Sequence, residues 1–564
     1  MSTIAHFLNL GKKWGIGATV GLLVLLPIGS RLARADGLGE HHTFFVDAEY
    51  DTTGRSSVPA TLVATGPHSY IYIEDQILAQ YGGTNALSNQ INQARQAFDS
   101  TIYPADTAFW GSESNIDNDS HVTILFEQLK TGVGGYTDPA NIFPSRPDQL
   151  SNQREMFTIS GDALASNHAN VFMAHEFQHL IAANQKTILH NVVEDTWLDE
   201  LRAQYSITVA GYNSPFFNSD LAHRTQDFLQ SPNDSMTEWQ GTLVDYASVT
   251  LFGEYLVEHY GPGILQDTLH SQLVGIASIN AWLSQHNYPE RFGDIFSNWV
   301  MADYLNNTSP NNRFGYTNTD LAALHVLPTD SRQLSYPATS SFNFSIKPWQ
   351  PKWYQFLMPW NLSAGQNIRV LWNAPLVSMI YVDNQGNVVP VANGDVIAPA
   401  AGASSFTLMP VDQSKTSGFG SSDAATSVVL NISFTSDSPA ALRPTPAPFK
   451  IADGTLIMLP DKSGIYVVTG GYKRYLVAGV PALYGLDVSK VVMVSQQVYD
   501  SYRTANYVRA FGQKKVYAVW PDGTKHWLNI SAAVFSSSGR DWNAIFTIND
   551  AEMNFYKTGA DITN

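Results

Sequence analysis

Apolar and polar positions alternate with a period of two over short runs near the start of the chain. Phe44-Phe45-Val46 and Tyr70-Ile71-Tyr72-Ile73 predict strands, and a helical pattern follows through Ala94 to Phe98. Val122 to Phe126 predicts another strand after the acidic turn Asn115-Ile116-Asp117-Asn118-Asp119. From about Ala163 to Leu305 the period becomes helical, as in Val171-Phe172-Ala174-Phe177-Leu180-Ile181 and Leu251-Phe252-Tyr255-Leu256. The first 300 or so residues therefore predict a mixed strand and helix lobe followed by a helical lobe.

Beyond Pro328 the period returns to two. Tyr354-Gln355-Phe356-Leu357, Asn367 to Leu371 and Val428 to Ile432 predict strands separated by Gly, Asn, Ser and Pro turns, at the spacing of a β-sandwich. Four prolines between Pro439 and Pro448 then predict an extended linker. After it the chain repeats itself with a period a little over fifty residues. Ile465 to Val468 aligns with Val516 to Val519, Lys473 to Leu476 with Lys525 to Leu528, and Asp500 to Arg503 with Asn554 to Lys557. Two copies are too few for a solenoid and predict paired small β-rich modules packed on each other. The expected organisation is α+β and multidomain: 1–35 a signal peptide, 36–330 an enzymatic domain, 331–438 a β-sandwich, 439–450 a linker, and 451–564 a duplicated module (about 455–508 and 509–564).

Composition supports folded domains over disorder, since 44% of the 564 residues are hydrophobic and only 14% charged. Residues 1–35 stand apart. Lys12 and Lys13 precede an apolar run from Trp14 to Ile28, and Ala33-Arg34-Ala35 places small residues where a signal peptidase reads. The run is shorter than the roughly 20 residues a spanning helix needs, so cleavage and secretion are expected, with no membrane association afterwards. Removing this segment deletes four basic residues and no acidic one, which makes a chain of net charge −17 still more acidic. Such a surface repels phosphate backbones, so nucleic acid is excluded as a partner. With no cysteine at all, an exported chain of this size must rely on core burial and bound metal in place of disulfides.

The chemistry concentrates in His175-Glu176-Phe177-Gln178-His179. Within a helix the two histidines, at i and i+4, project from one face and can share one ion. Zinc takes four ligands and a catalytic site keeps one position for water, which leaves room for a third protein ligand. Glu176 lies close enough to the open position to accept a proton from water. The flanking Val171, Phe172, Leu180 and Ile181 bury this helix, and two histidines with a glutamate are costly there unless metal or hydrogen bonds occupy them. Glu200 follows His179 by twenty-one positions, in Thr196-Trp197-Leu198-Asp199-Glu200-Leu201, where a second helix starting near Trp197 could return across the first.

With these two segments the chain resembles the thermolysin-like, or gluzincin, zinc peptidases, whose His-Glu-x-x-His is followed by a glutamate on the next long helix. The aromatic-Leu-Asp-Glu wording is most similar to the hyicolysin-like peptidases. Ala60-Thr61-Leu62 to Ile73, Gly134-Gly135-Tyr136, Asn152 to Met156, and Tyr246 to Tyr260 share the likeness, which covers roughly Thr43 to Leu305. The resemblance implies His175, His179 and Glu200 as ligands of Zn2+, Glu176 as the catalytic base, and a protein or peptide as substrate. It departs at Leu201, where glycine often stands, and at Gln204, where an aspartate orients a histidine ligand in thermolysin-like enzymes. Asp195 and Asp199 are the candidates for that orienting role.

A donor to the tetrahedral oxyanion is also expected. Tyr246, near the start of a helix, is the first choice and His223 the second. Met156 to Ile159 reads either as an edge strand for an extended substrate or as an internal strand. Asn115, Asp117 and Asp119 alternate as calcium ligands do, but Ser120 and Phe126 occupy the positions of the required glycine and glutamate, so the reading there is a polar turn. The alternative function is an exported surface-binding protein with an inactive peptidase-like domain, its tail attaching it to a cell surface or polymer. A zinc hydrolase acting on a non-peptide amide is a third.

Overall fold

A computed structural model describes residues 35–439 and 455–563, apart from 147, 148, 167, 310, 375, 460–463, 470, 485, 487, 489, 490, 494–498, 500, 501, 511 and 512. The signal peptide and the proline-rich linker read from the sequence lie almost entirely outside these residues. Two compact units emerge, one of residues up to 275 with short returns at 318–324 and 420–422, the other of the remainder.

The first unit is built on a six-stranded sheet, β1 (His41–Phe45), β2 (Ser57–Thr65), β3 (Ser69–Glu74), β4 (Val122–Glu127), β5 (Gly135–Tyr136) and β6 (Met156–Ser160), in the order β1-β2-β3-β4-β6-β5. β3, β4 and β6 run parallel and are fully buried, which their continuous apolar runs require. Between β3 and β4 come the helices α1 (Asp75–Tyr81), α2 (Ser88–Ala97) and α3 (Tyr103–Trp110). β6 lies between β4 and β5, so it is internal, and the two-residue β5 forms the sheet edge. After β6 the chain is helical: α4 (Gly161–Ala165), α5 (Ala169–Ala182), α6 (Thr196–Val209), α7 (Asp220–Gln230), α8 (Leu243–Tyr260) and α9 (Gly263–Leu269).

The second unit opens with α10 (Gly275–Gln285) and α11 (Phe292–Leu305). α11 belongs with the strands that follow it. Phe292 and Phe296 pack on the Trp349 ring, and the Trp353 indole donates to the carbonyl of Val300 at 2.9 Å. Nine strands make two sheets, ordered β13-β10-β15-β8 and β12-β11-β14-β9-β7, with a shared core of Ile368, Val370, Leu408, Leu430 and Ile432. These strands are β7 (Asp330–Gln333), β8 (Ser340–Ile346), β9 (Tyr354–Leu357), β10 (Asn367–Trp372), β11 (Val377–Asp383), β12 (Val388–Val391), β13 (Val396–Ile397), β14 (Ser405–Asp412) and β15 (Thr426–Thr435). The result is the sandwich that the period-two pattern predicts.

In the tail, β16 (Leu456–Met458), β17 (Tyr466–Thr469), β18 (Tyr472–Tyr475), β19 (Val492–Met493) and β20 (Arg503–Thr504) form a sheet ordered β19-β16-β17-β18-β20. β21 (Tyr507–Ala510), β22 (Tyr517–Val519), β23 (Thr524–Trp527), β24 (Ile545–Ile548) and β25 (Lys557–Thr558) repeat it as β24-β21-β22-β23-β25. In both, the central pairings are antiparallel and the outer ones parallel. The internal repeat in the sequence is thus a repeat of topology. Leu456, Leu476 and Val480 of the first copy share one core with Val508, Val519, Ile548 and Met553 of the second. Among the described residues, no helix is long and apolar enough to cross a membrane.

Candidate metal centre

α5 carries His175, Glu176 and His179 and is buried on every side from Met173 to Ala182, so it is a core helix rather than a surface one. It continues without a break into a wider π-type stretch, Ala183–Ile188. There the Lys186 ammonium, almost fully buried, donates to the carbonyls of Thr268, Ser271 and Leu273 at 2.7 to 2.9 Å and pairs with Glu194 at 3.2 Å. Burial lowers its pKa to about 8. Glu194 also pairs with the Arg202 guanidinium at 2.7 Å, which ties the segment before α6 to α6 itself.

α6 packs on α5 and brings Asp199, Glu200 and Gln204 to the histidines. Glu200 and Gln204 are four residues apart and share a face. Leu201 is accommodated by a glycine on α8: a Cβ at Gly253 would come within 3.1 Å of Leu201 Cδ2. The glycines of Gly134-Gly135 serve a similar end. A Cβ at Gly134 would meet the Phe172 ring at 2.5 Å, and one at Gly135 would meet Glu176 Cγ at 3.0 Å, so only glycine lets β5 lie against α5.

The Nε2 atoms of His175 and His179 are 3.1 Å apart, and Glu200 Oε2 lies 3.2 Å from the first and 3.6 Å from the second. Two donor atoms each about 2.0–2.1 Å from a tetrahedral zinc ion stand about 3.3 Å from one another. The three observed separations match that edge. The opposite ring nitrogens are engaged: His175 Nδ1 faces Gln204 Oε1 at 3.2 Å, and His179 Nδ1 faces Asp199 Oδ2 at 3.0 Å. A proton on each Nδ1 leaves both Nε2 lone pairs aimed at the Glu200 carboxylate, and three such acceptors side by side require a cation between them. His175, His179 and Glu200 are all buried, and among the described residues they form the one group of three His, Cys, Asp or Glu able to share an ion.

Burial holds His175 below its ordinary pKa. For His179 burial acts in the same direction, but the charges of Asp199 and Glu200 outweigh it and the ring is pulled well above its ordinary value. Burial would raise Glu200, yet His179 foremost and then His175 bring it down to about 2. Burial pushes Glu176 up to about 8, against the pull of His179.

Glu176 is held by a residue that the motif does not announce. Thr137 Oγ1 lies 3.0 Å from Glu176 Oε2 and 2.9 Å from its backbone carbonyl. Tyr246 is fully buried on α8, its ring centroid 6.2 Å from that of His175 and 5.0 Å from that of Trp239. The Arg224 guanidinium sits 5.2 Å over the Tyr246 ring, and burial, with the charges of Glu200 and Glu176, keeps the phenol well above its ordinary pKa. His223, one residue before Arg224, is exposed. Asp195 stands at the N-terminus of α6, away from both rings, with its carboxylate against Gly275. Thr137 and Arg224 were signalled only by adjacency, the one to Gly134-Gly135-Tyr136 and the other to His223.

No family model matches the chain. Two solved structures of periplasmic inhibitors of g-type lysozyme show a partial likeness: PliG of Salmonella Typhimurium, 14% identical, and a PliG mutant from Escherichia coli, 12% identical. Each covers 19% of this chain and nearly all of the inhibitor, 99% and 98% respectively, with a TM-score of 0.15. A neutral metalloprotease of Staphylococcus hyicus, ShpI, is 25% identical over 285 residues, which make up 46% of this chain and 61% of that protein, less than two thirds of its length. The chain that brings His175, His179 and Glu200 together is thus related in sequence to a metalloprotease.

Proposed function

We propose that this protein is a secreted zinc metallopeptidase of the gluzincin type that hydrolyses peptide bonds in proteins. The observation that carries the reading is the triangle of His175 Nε2, His179 Nε2 and Glu200 Oε2, whose edges of 3.1 to 3.6 Å fit a single tetrahedral ion. Zinc bound by these three residues supplies Lewis acidity, which acidifies water and polarises a substrate carbonyl.

The chain's own residues account for the proton traffic. Glu176, steadied by Thr137, would accept the proton of the attacking water and pass it to the departing amine. Tyr246 keeps its phenolic proton under these conditions and donates to the developing oxyanion. β6 is enclosed on both sides and offers no free edge to an extended substrate; the sheet ends beside it at β5. Action outside the cell follows from the signal-type start of the sequence.

The test is metal analysis together with cleavage of an unstructured protein. Wild type is expected to hold about one zinc per chain and to lose cleavage when the zinc is chelated. Cleaving protein that contains no zinc would overturn the assignment.

A further inference from the structure

Three residues of the first unit, Gly420–Ser422, come from far along the chain, out of the connection between β14 and β15. They settle on the segment that leads into α8. The Gly420 carbonyl accepts from the Trp239 amide at 3.0 Å, and the Ser421 carbonyl accepts from the Gln240 side chain at 3.2 Å. The segment is itself wound tightly onto the helix. Asp245 Oδ2 accepts from the Thr242 amide at 2.6 Å, the Thr242 hydroxyl at 2.8 Å and the Gln240 amide at 3.3 Å, which closes a capping box just ahead of Tyr246.

The connection that supplies Gly420 is braced. Lys415 and Asp423, on its two legs, form an ion pair, and the Lys415 ammonium also stands 5.5 Å from the centre of the Phe419 ring. The Lys415 carbonyl accepts from the Trp349 indole at 2.6 Å. A connection fixed at its base has less freedom to lose when its tip docks.

From Trp239 the contacts run on to a metal ligand. Trp239 is 4% exposed, and its ring meets that of Tyr246 at 5.0 Å and 82°, the near-perpendicular arrangement that aromatic pairs favour. The Tyr246 ring is bounded as well by the Arg224 guanidinium, 5.2 Å from its centre, and by the His175 ring at 6.2 Å. α8 fixes the backbone of Tyr246, but the direction of the ring is left to these neighbours. Arg224 and His175 are carried by α7 and α5, whereas Trp239 stands in an irregular segment and depends on bonds such as the one from Gly420.

We propose that Gly420–Ser422 form a strap that holds Trp239 in place, and that Trp239 is a positioning residue for Tyr246. The inference rests on the role of oxyanion donor given to Tyr246 above. Such a donor works only where its proton is already aimed at the place where charge develops. A misplacement of about 1 Å can cost about 10²-fold in rate. The bonds of the strap go to Trp239 and Gln240 and not to a metal ligand, so its loss is expected to slow turnover without releasing zinc.

The test uses the full chain and a double-mutant cycle. Replacing residues 416–422 by Gly-Gly is expected to lower kcat at least about tenfold, with KM within about twofold of wild type and zinc content unchanged. Tyr246→Phe alone is expected to lower kcat by about 10²- to 10³-fold, and adding the strap replacement to it is expected to cost no more than about twofold further, because both changes act on one group. Trp239→Leu keeps bulk without a ring and is expected to behave like the strap replacement, whereas Trp239→Phe, which restores a ring, should return kcat to within about threefold of wild type. The Trp239 pair carries the test if the shortened strap does not fold. Wild-type kcat in the strap replacement or in Trp239→Leu, a full multiplicative loss in the double variant, or release of zinc would overturn the proposal while leaving Tyr246 its role. Wild-type turnover in Tyr246→Phe would instead remove that role, and the strap's with it.

Discussion

The side-chain oxygen of Gln204 lies 3.2 Å from Nδ1 of His175, and the amide nitrogen of the same residue donates to the Thr250 hydroxyl at 3.1 Å. The second bond fixes which end of the amide meets the ring. His175 is therefore oriented by a neutral acceptor, whereas His179 is oriented by the Asp199 carboxylate. The two rings are held by partners of different charge.

Because these partners set the ring orientation, their loss is expected to reach the metal. Gln204→Ala and Asp199→Ala are each expected to weaken zinc binding by about 10- to 100-fold. Competition with a chromophoric chelator measures this directly. An affinity within about twofold of wild type would mean that helix packing alone orients the ring.

The two glutamates at the centre are expected to fail differently. Glu176→Gln preserves shape and leaves His175, His179 and Glu200 in place, so zinc should stay while turnover falls by about 10²- to 10⁴-fold, the usual worth of a general base. Glu200→Ala removes a ligand and leaves two histidines, so zinc occupancy itself should fall and activity with it. Zinc content measured beside turnover for both variants separates the roles. If Glu200→Ala holds zinc as tightly as wild type, Glu200 is not a ligand.

Glu127, at the end of β4, offers a stability test away from the metal. It is fully buried, its Oε2 accepts from the Tyr136 hydroxyl at 3.1 Å, and burial, helped by Asp51 and Glu74, lifts its pKa from 4.5 to about 9. An acid raised in this way binds its proton more tightly folded than unfolded. Its contribution is fully present below about pH 4.5 and is lost as pH rises through about 9. Glu127→Gln cannot ionise, so its melting temperature should gain on wild type as pH goes from 5 to 9, by several degrees at the upper end. A constant difference across that range would place the shift elsewhere.

The helix of His175 and His179 was legible because its pattern is local: two ligands one turn apart, inside an apolar run. Glu200 was legible from its position on the next helix. Thr137 and Gln204 were not, because each acts through a contact between distant segments that no periodicity encodes. Gln204 occupies a position where an aspartate was expected and still supplies an acceptor. The grouping of α11 with the sandwich was hidden for a related reason. A helical period reveals that one face is buried but not that Trp349 and Trp353, some fifty residues on, are what bury it.

The tail copies share a core, and the Arg474 guanidinium of the first reaches Glu552 of the second at 2.6 Å, in a pair buried on both sides. The largest apolar cluster of the described tail belongs to both halves at once. Severed between the sheets, such a tail would behave as two halves of a split reporter, each awaiting its mate, and heat would melt both in one step.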